Sequence, residues 1–158
     1  MNVMQDEIRF IIDELRLRGQ VLAVAESLTG GGLGAAITAV PGSSDVFAGG
    51  VIAYQVSKKT DLLHVPRSLI TDFGAVSEEV AVAMAEGVRA MFGATWAIAT
   101  TGVAGPGASD GVAAGTVWLA IRGPINQSTA LQIDGEREDV RNACVSSAIT
   151  AFARILAS

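Results

Sequence analysis

Apolar residues at Ile8, Ile11, Ile12 and Leu15 recur at helical spacing, with Arg16 and Arg18 in the last turn before Gly19. This predicts an amphipathic first helix that the glycine stops. The apolar run from Val21 to Ala25 predicts a short buried strand, followed by Glu26, Ser27 and Thr29, then the consecutive glycines Gly30, Gly31 and Gly32. Helical spacing resumes at Leu33, Ala36, Ile37 and Val40 and stops at Pro41-Gly42. Beyond Ser43-Ser44-Asp45, the run Val51-Ile52-Ala53-Tyr54 predicts a second strand. Ser57 is placed to cap a short helix through Leu63, which puts Lys59 in a first turn where the helix dipole opposes a cation.

Ser77 caps the next predicted helix, with Glu78 and Glu79 in its first turn, Val80, Ala81, Met84, Ala85 and Val88 facing inward, and Gly93 at its end. Trp96 to Thr100 predicts a third, fully buried strand, and a second glycine-rich loop runs from Thr101 to Gly111. Thr116 to Ile121 and Ser128 to Ile133 flank Gly123-Pro124-Ile125-Asn126 as a hairpin. A final helix is predicted from Arg137 to Leu156, burying Val140, Cys144, Ala148, Ala151, Phe152 and Ile155. Strands alternating with helices predict an α/β fold with a mixed sheet, its early strands made parallel by crossover helices and its hairpin containing one antiparallel strand. No linker or repeat divides the 158 residues, so residues 1–158 are expected to form a single domain.

Composition narrows the function. Half the residues are apolar but only 5% are aromatic, and the net charge is −5. No basic stripe is present to neutralise phosphates, so nucleic acid is not an expected partner. No apolar stretch approaches the roughly 20 residues a bilayer span needs, and the acidic amphipathic start does not read as a signal peptide. With Cys144 as the only cysteine, these features predict a cytoplasmic protein with no membrane partner. His64 is the only histidine, which removes His-rich metal sites and any Ser-His-Asp triad built elsewhere; a structural role is expected for it.

The glycine turn invites a phosphate reading, because glycines lacking Cβ expose the N–H groups at a helix start, where backbone dipoles favour an anion. Gly30-x-Gly32-x-x-Ala35 formally matches a dinucleotide fingerprint, but the second strand ends at Tyr54 without an acidic residue for a ribose, and no Gly-Lys-Ser/Thr follows. Both glycine-rich loops follow strands and so are expected to line one pocket. Ser44, Tyr54 and Lys59 surround the second strand, and a serine with a lysine or tyrosinate partner can do nucleophilic chemistry without histidine.

Ala25-Glu26-Ser27-Leu28-Thr29-Gly30-Gly31 resembles the AES-x-TGG signature of the CinA C-terminal domain family. Further landmarks follow in order: Pro41-Gly42-Ser43-Ser44, Gly50-Val51-Ile52-Ala53-Tyr54 with Lys59, Gly74-Ala75-Val76-Ser77, Thr101-Gly102-Val103-Ala104-Gly105-Pro106, Gly115-Thr116-Val117 and Gly135-Glu136-Arg137. The resemblance implies a three-layer α/β/α fold with a five-stranded mixed sheet, one strand antiparallel, and a homo-oligomer. It implies an amidohydrolase that needs neither metal nor cofactor and converts nicotinamide mononucleotide to nicotinic acid mononucleotide and ammonia, a pyridine nucleotide salvage step. Stand-alone members of the family include nicotinamide mononucleotide deamidase.

Carried over by position, the resemblance assigns Ser44 as nucleophile, Lys59 as proton acceptor and Tyr54 as the residue that orients or relays the proton. It assigns Ser27, Thr29, Gly30, Gly31, Thr101, Gly102, Gly105 and Arg137 to the mononucleotide substrate. Ser27, beside Glu26, stands as the alternative nucleophile, with Ser44 then in support. Val112-Ala113 replaces the Lys-Pro of many relatives, and the molybdopterin-binding-like domain that precedes this one in full-length relatives is expected to be absent. A non-catalytic module binding a nucleotide or another phosphorylated ligand is the alternative function; it would use the glycine loops without Lys59 or Tyr54.

Overall fold

The structure, a computed structural model, describes residues 2–158. In chain order the elements are α1 (Val3–Arg18), β1 (Leu22–Glu26), α2 (Gly32–Thr38), β2 (Phe47–Ile52), α3 (Val56–Leu63), α4 (Arg67–Phe73), α5 (Glu78–Phe92), β3 (Trp96–Gly102), β4 (Thr116–Arg122), β5 (Gln127–Gln132) and α6 (Arg137–Ala157). The strands form one five-stranded sheet in the order β2-β1-β3-β4-β5. β1 runs parallel to both β2 and β3, while β4 is antiparallel to its neighbours β3 and β5. β4 is therefore the one reversed strand, and the three-layer α/β/α architecture is present with the predicted sheet.

Alternation along the strands sorts side chains by size. Leu22, Val24, Trp96, Ile98, Val117, Leu119 and Ile121 enter one core with α1, α2 and α6. Ala23, Ala25, Ala97, Ala99 and Ala120 face the other way, onto Val80, Ala81, Met84, Ala85 and Val88 of α5. The large face fills the space beneath several helices, and the alanine face lets α5 lie close to the sheet. Trp96 meets Phe152 edge-to-face at 5.3 Å, and its indole N–H donates to Gln20 Oε1 at 2.8 Å, so the bulkiest core side chain leaves no buried donor unpaired.

The second close approach positions the site. A Cβ on Gly87 of α5 would lie 2.0 Å from the Leu63 carbonyl oxygen, so the end of α3 abuts α5 where only glycine fits. Leu63 and Lys59 are four residues apart, on one face of α3, and are 1% and 2% exposed. Burying Leu63 is worth roughly 1.5–3 kcal/mol, and the same packing turns Lys59 inward.

Several local expectations are corrected. β2 begins at Phe47 and ends at Ile52, so Tyr54 lies beyond the strand. Gln55, with no side-chain cap, precedes α3, and Ser57 is inside the helix. α4 has no buried residue, and its apolar periodicity is correspondingly too weak to have predicted it. His64 ends α3 in the left-handed conformation, φ 58°, which is its structural role. Among the described residues, no helix is long and apolar enough to cross a membrane.

Candidate active site

A cleft of ≈ 290 Å³ opens beyond the carboxyl ends of the parallel strands, lined by Ser27, Tyr54, Lys59, Thr101, Arg137 and the loop Gly102–Asp110 among others. The arrangement follows from topology. Residues leaving β1, β2 and β3 emerge at one end of the sheet, where α/β proteins bind ligands.

At its floor, Lys59 Nζ lies 2.9 Å from Ser27 Oγ and 2.8 Å from the carbonyl oxygen of Ala53. Both partners are uncharged oxygens and the residue is 2% exposed, so among the described residues the Lys59 ammonium is taken out of water with hydrogen bonds but no ion pair. Burial lowers its pKa from 10.5 to about 8. In its charged form the ammonium donates to both oxygens. In its neutral form it can keep its bond to Ala53 and accept the Ser27 hydroxyl proton through the freed lone pair. A hydroxyl paired with a depressed-pKa amine in a cleft is an arrangement for nucleophilic attack.

The glycine turn is used differently from expectation. Glu26 is 2% exposed, and its carboxylate accepts from the N–H of Leu33 at 2.8 Å and of Gly34 at 3.0 Å. The chain's own anion therefore occupies the start of α2, where a substrate phosphate was expected. Gly30 and Gly31 have φ of 58° and 99°, and so serve the turn itself, outside the cleft lining. Thr29 is buried, its hydroxyl 2.9 Å from that of Thr100, which ties the turn to β3.

Ser44 is not brought to the pair. It is exposed in a short 3-10 turn, Ser43–Asp45, that precedes β2, and Asp45 beside it accepts from Arg16 of α1 at 2.9 Å. Six residues of β2 intervene, about 20 Å at a strand's rise per residue. Because β1 and β2 are parallel, the residue after β1 and the residue before β2 lie at opposite ends of the sheet. Tyr54 reaches the cleft, but its hydroxyl accepts from Arg137 Nη2 at 2.9 Å and makes no bond to Lys59. Arg137 Nη1 also donates to the Gly105 carbonyl at 2.6 Å. Thr101, Gly102, Gly105 and Arg137 thus line the cleft as expected, although Thr101 Oγ1 is engaged with the Ala75 carbonyl at 2.8 Å.

Sequence reasoning missed Arg141, whose Nε donates to the Leu28 carbonyl at 3.1 Å and whose Nη2 donates to that of Thr29 at 3.2 Å. Its spacing from Arg137 held the signal, since residues four apart share a helix face. One side of α6 therefore holds both glycine-rich loops. Cys144 is fully buried, and burial together with the Glu26 charge pushes its thiol up to about 12, which leaves it inert packing. Among the described residues, no three His, Cys, Asp or Glu side chains are grouped to hold a metal ion.

Residues 5–156 match the CinA C-terminal domain family. A CinA-like protein of Gemmatimonas aurantiaca is 44% identical over 155 residues, 96% of this chain and 36% of that protein. One from Synechococcus is 57% identical over 115 residues, 72% of this chain and 28% of that protein. The chain thus spans about a third of the length of these relatives. Solved structures match over nearly their whole length: the competence damage-inducible protein A of Klebsiella pneumoniae has a TM-score of 0.94 at 34% identity, covering 99% of this chain and 98% of that one. The competence/damage inducible protein CihA of Agrobacterium tumefaciens has a TM-score of 0.93 at 33% identity, covering 100% and 98%.

Proposed function

This chain belongs to the CinA C-terminal domain family, and on that premise we propose that it is an amidohydrolase converting nicotinamide mononucleotide to nicotinic acid mononucleotide and ammonia, with Ser27 as the nucleophile. The observation that supports this reading most is the 2.9 Å contact between Ser27 Oγ and the buried Lys59, whose partners are uncharged oxygens.

Neutral Lys59 takes the hydroxyl proton as Ser27 Oγ attacks the carboxamide carbon. The tetrahedral adduct collapses by breaking the C–N bond, and Lys59 returns the proton to the departing nitrogen, which leaves as ammonia. Water, deprotonated by the same lysine, hydrolyses the resulting ester; the acid is released and Ser27 is regenerated. Arg137 supplies the cation for the 5′-phosphate from the cleft wall. The expected partner is thus a small mononucleotide, in a cytoplasmic homo-oligomer.

The test incubates the purified protein with nicotinamide mononucleotide without added metal and follows ammonia. Saturable release above the blank is expected; saturable binding with no release would favour the non-catalytic binding module. Arg137→Ala should raise KM roughly 10- to 100-fold, the loss of a charge-assisted hydrogen bond worth about 1.5–3 kcal/mol, with kcat little changed. Steady-state kinetics across substrate concentrations separates the two constants.

A further inference from the structure

The bonds at the cleft floor close into a ring. The Ala53 N–H donates to the Glu26 carbonyl at 2.8 Å, the Ala53 carbonyl accepts from Lys59 Nζ at 2.8 Å, Lys59 Nζ meets Ser27 Oγ at 2.9 Å, and Ser27 follows Glu26 in the chain. A single residue, Ala53, thus spaces the lysine from the end of β1 through its N–H on one side and its carbonyl on the other. The ring is joined to α3 through Lys59 itself and to α2 through the Glu26 carboxylate, which accepts from the Leu33 and Gly34 N–H groups. Glu26 and Ser27 are joined by one peptide bond, so the hold on the carboxylate constrains the backbone from which the serine projects.

We infer that Glu26 is a positioning residue for Ser27: its carboxylate, bound at the start of α2, sets the backbone at the end of β1 so that the serine hydroxyl meets Lys59. The inference rests on the reading of Ser27 and Lys59 as the reacting pair. Glu26 does not line the cleft, and both its carboxylate oxygens are engaged by backbone N–H groups. Each oxygen accepts one N–H at the start of α2, from Leu33 at 2.8 Å and from Gly34 at 3.0 Å. A glutamine of the same shape keeps one acceptor but turns an NH₂ toward a backbone N–H, and an alanine leaves both N–H groups without their partner. Glutamine thus weakens the tie between the end of β1 and α2, and alanine removes it.

The experiment compares the wild-type chain with Glu26→Gln and Glu26→Ala, both checked for folded content by circular dichroism. Two reactions are followed: ammonia release from nicotinamide mononucleotide, and sulfonylation of Ser27 by phenylmethanesulfonyl fluoride across pH, read by intact mass against Ser27→Ala. Folded Glu26→Gln should lose at least about tenfold in kcat and in sulfonylation rate, and Glu26→Ala on the order of 10²-fold, as expected for a misplaced reacting group. KM should stay within about twofold, and the pH midpoint of sulfonylation should stay where the wild type has it. Wild-type rates in folded variants would overturn the inference. So would a midpoint that moves with the loss, because Glu26 would then act on the lysine's charge, or a wild-type Ser27 that reacts no faster than the Ser27→Ala background. A wild type that is sulfonylated but releases no ammonia refutes the proposed substrate alone, and the sulfonylation series still decides the role of Glu26.

Discussion

Replacing Ser27 by alanine is expected to remove ammonia release by at least about 10³-fold, while Ser44→Ala remains within about twofold of wild type. The two serines make the comparison internal. Each lies in a polar turn of the same sheet, so the nature of the substitution is identical. Only Ser27 has a base at 2.9 Å, and only Ser27 lines the cleft. Losing the hydroxyl removes the bond-forming atom and leaves Arg137 and the loop from Gly102 untouched, so nicotinamide mononucleotide should bind Ser27→Ala with a dissociation constant close to wild type by calorimetry. An active Ser27→Ala paired with an inactive Ser44→Ala would reverse the assignment and require a different lysine partner from the one in the structure.

Lys59→Met should cost about 10²- to 10⁴-fold in kcat, the usual contribution of a positioned general base. Its stability should move far less than a buried substitution ordinarily would. With a folded-state pKa of about 8 against 10.5, Lys59 is charged in both states below pH 8, and burying that charge costs the fold on the order of 3 kcal/mol. Between pH 8 and 10.5 the unfolded chain holds the proton more tightly, so this penalty relaxes as pH rises. Methionine removes the penalty but also the hydrogen bond to the buried Ala53 carbonyl, a loss of about 1–3 kcal/mol. The two nearly offset, and thermal melting near pH 7 should leave Lys59→Met close to wild type while activity is lost.

The wild-type pH profile reads the same group. The attacking serine needs neutral lysine, so kcat/KM should rise about tenfold per pH unit below pH 8 and level off above it. A flat profile from pH 6 to 9 would exclude Lys59 as the base.

Local pattern carried most of the architecture. The helical spacing of Ile8, Ile11, Ile12 and Leu15 and of Val80, Ala81, Met84, Ala85 and Val88 identified buried faces that the structure contains, because side chains three and four apart must share a helix face. Ser77 caps α5, accepting from Val80 N at 3.3 Å, a bond between residues three apart that sequence can specify alone. α4 escaped because it buries no residue fully and packs only the adjacent Leu69 and Ile70 against the core, too few apolar positions to leave a periodic trace. Arg141 was legible from its spacing to Arg137, but its carbonyl partners at Leu28 and Thr29 lie more than a hundred residues away.

The sequence by itself determined four of the five strands closely and β2 only in part, most of the helices, the need for glycine between Thr29 and Leu33, and the group of polar residues from which a reacting pair would be drawn. These are short-range matters, decided by φ, by capping and by the period of apolar side chains. Only the tertiary structure decided which serine meets Lys59. Parallel pairing of β1 and β2 sends Ser27 and Ser44 to opposite ends of the sheet, and the contact of Gly87 with Leu63 turns Lys59 inward. The glycine turn's anion was decided in the same way. Its helix start was legible, but only the fold brings the Glu26 carboxylate back onto those N–H groups before any ligand can reach them.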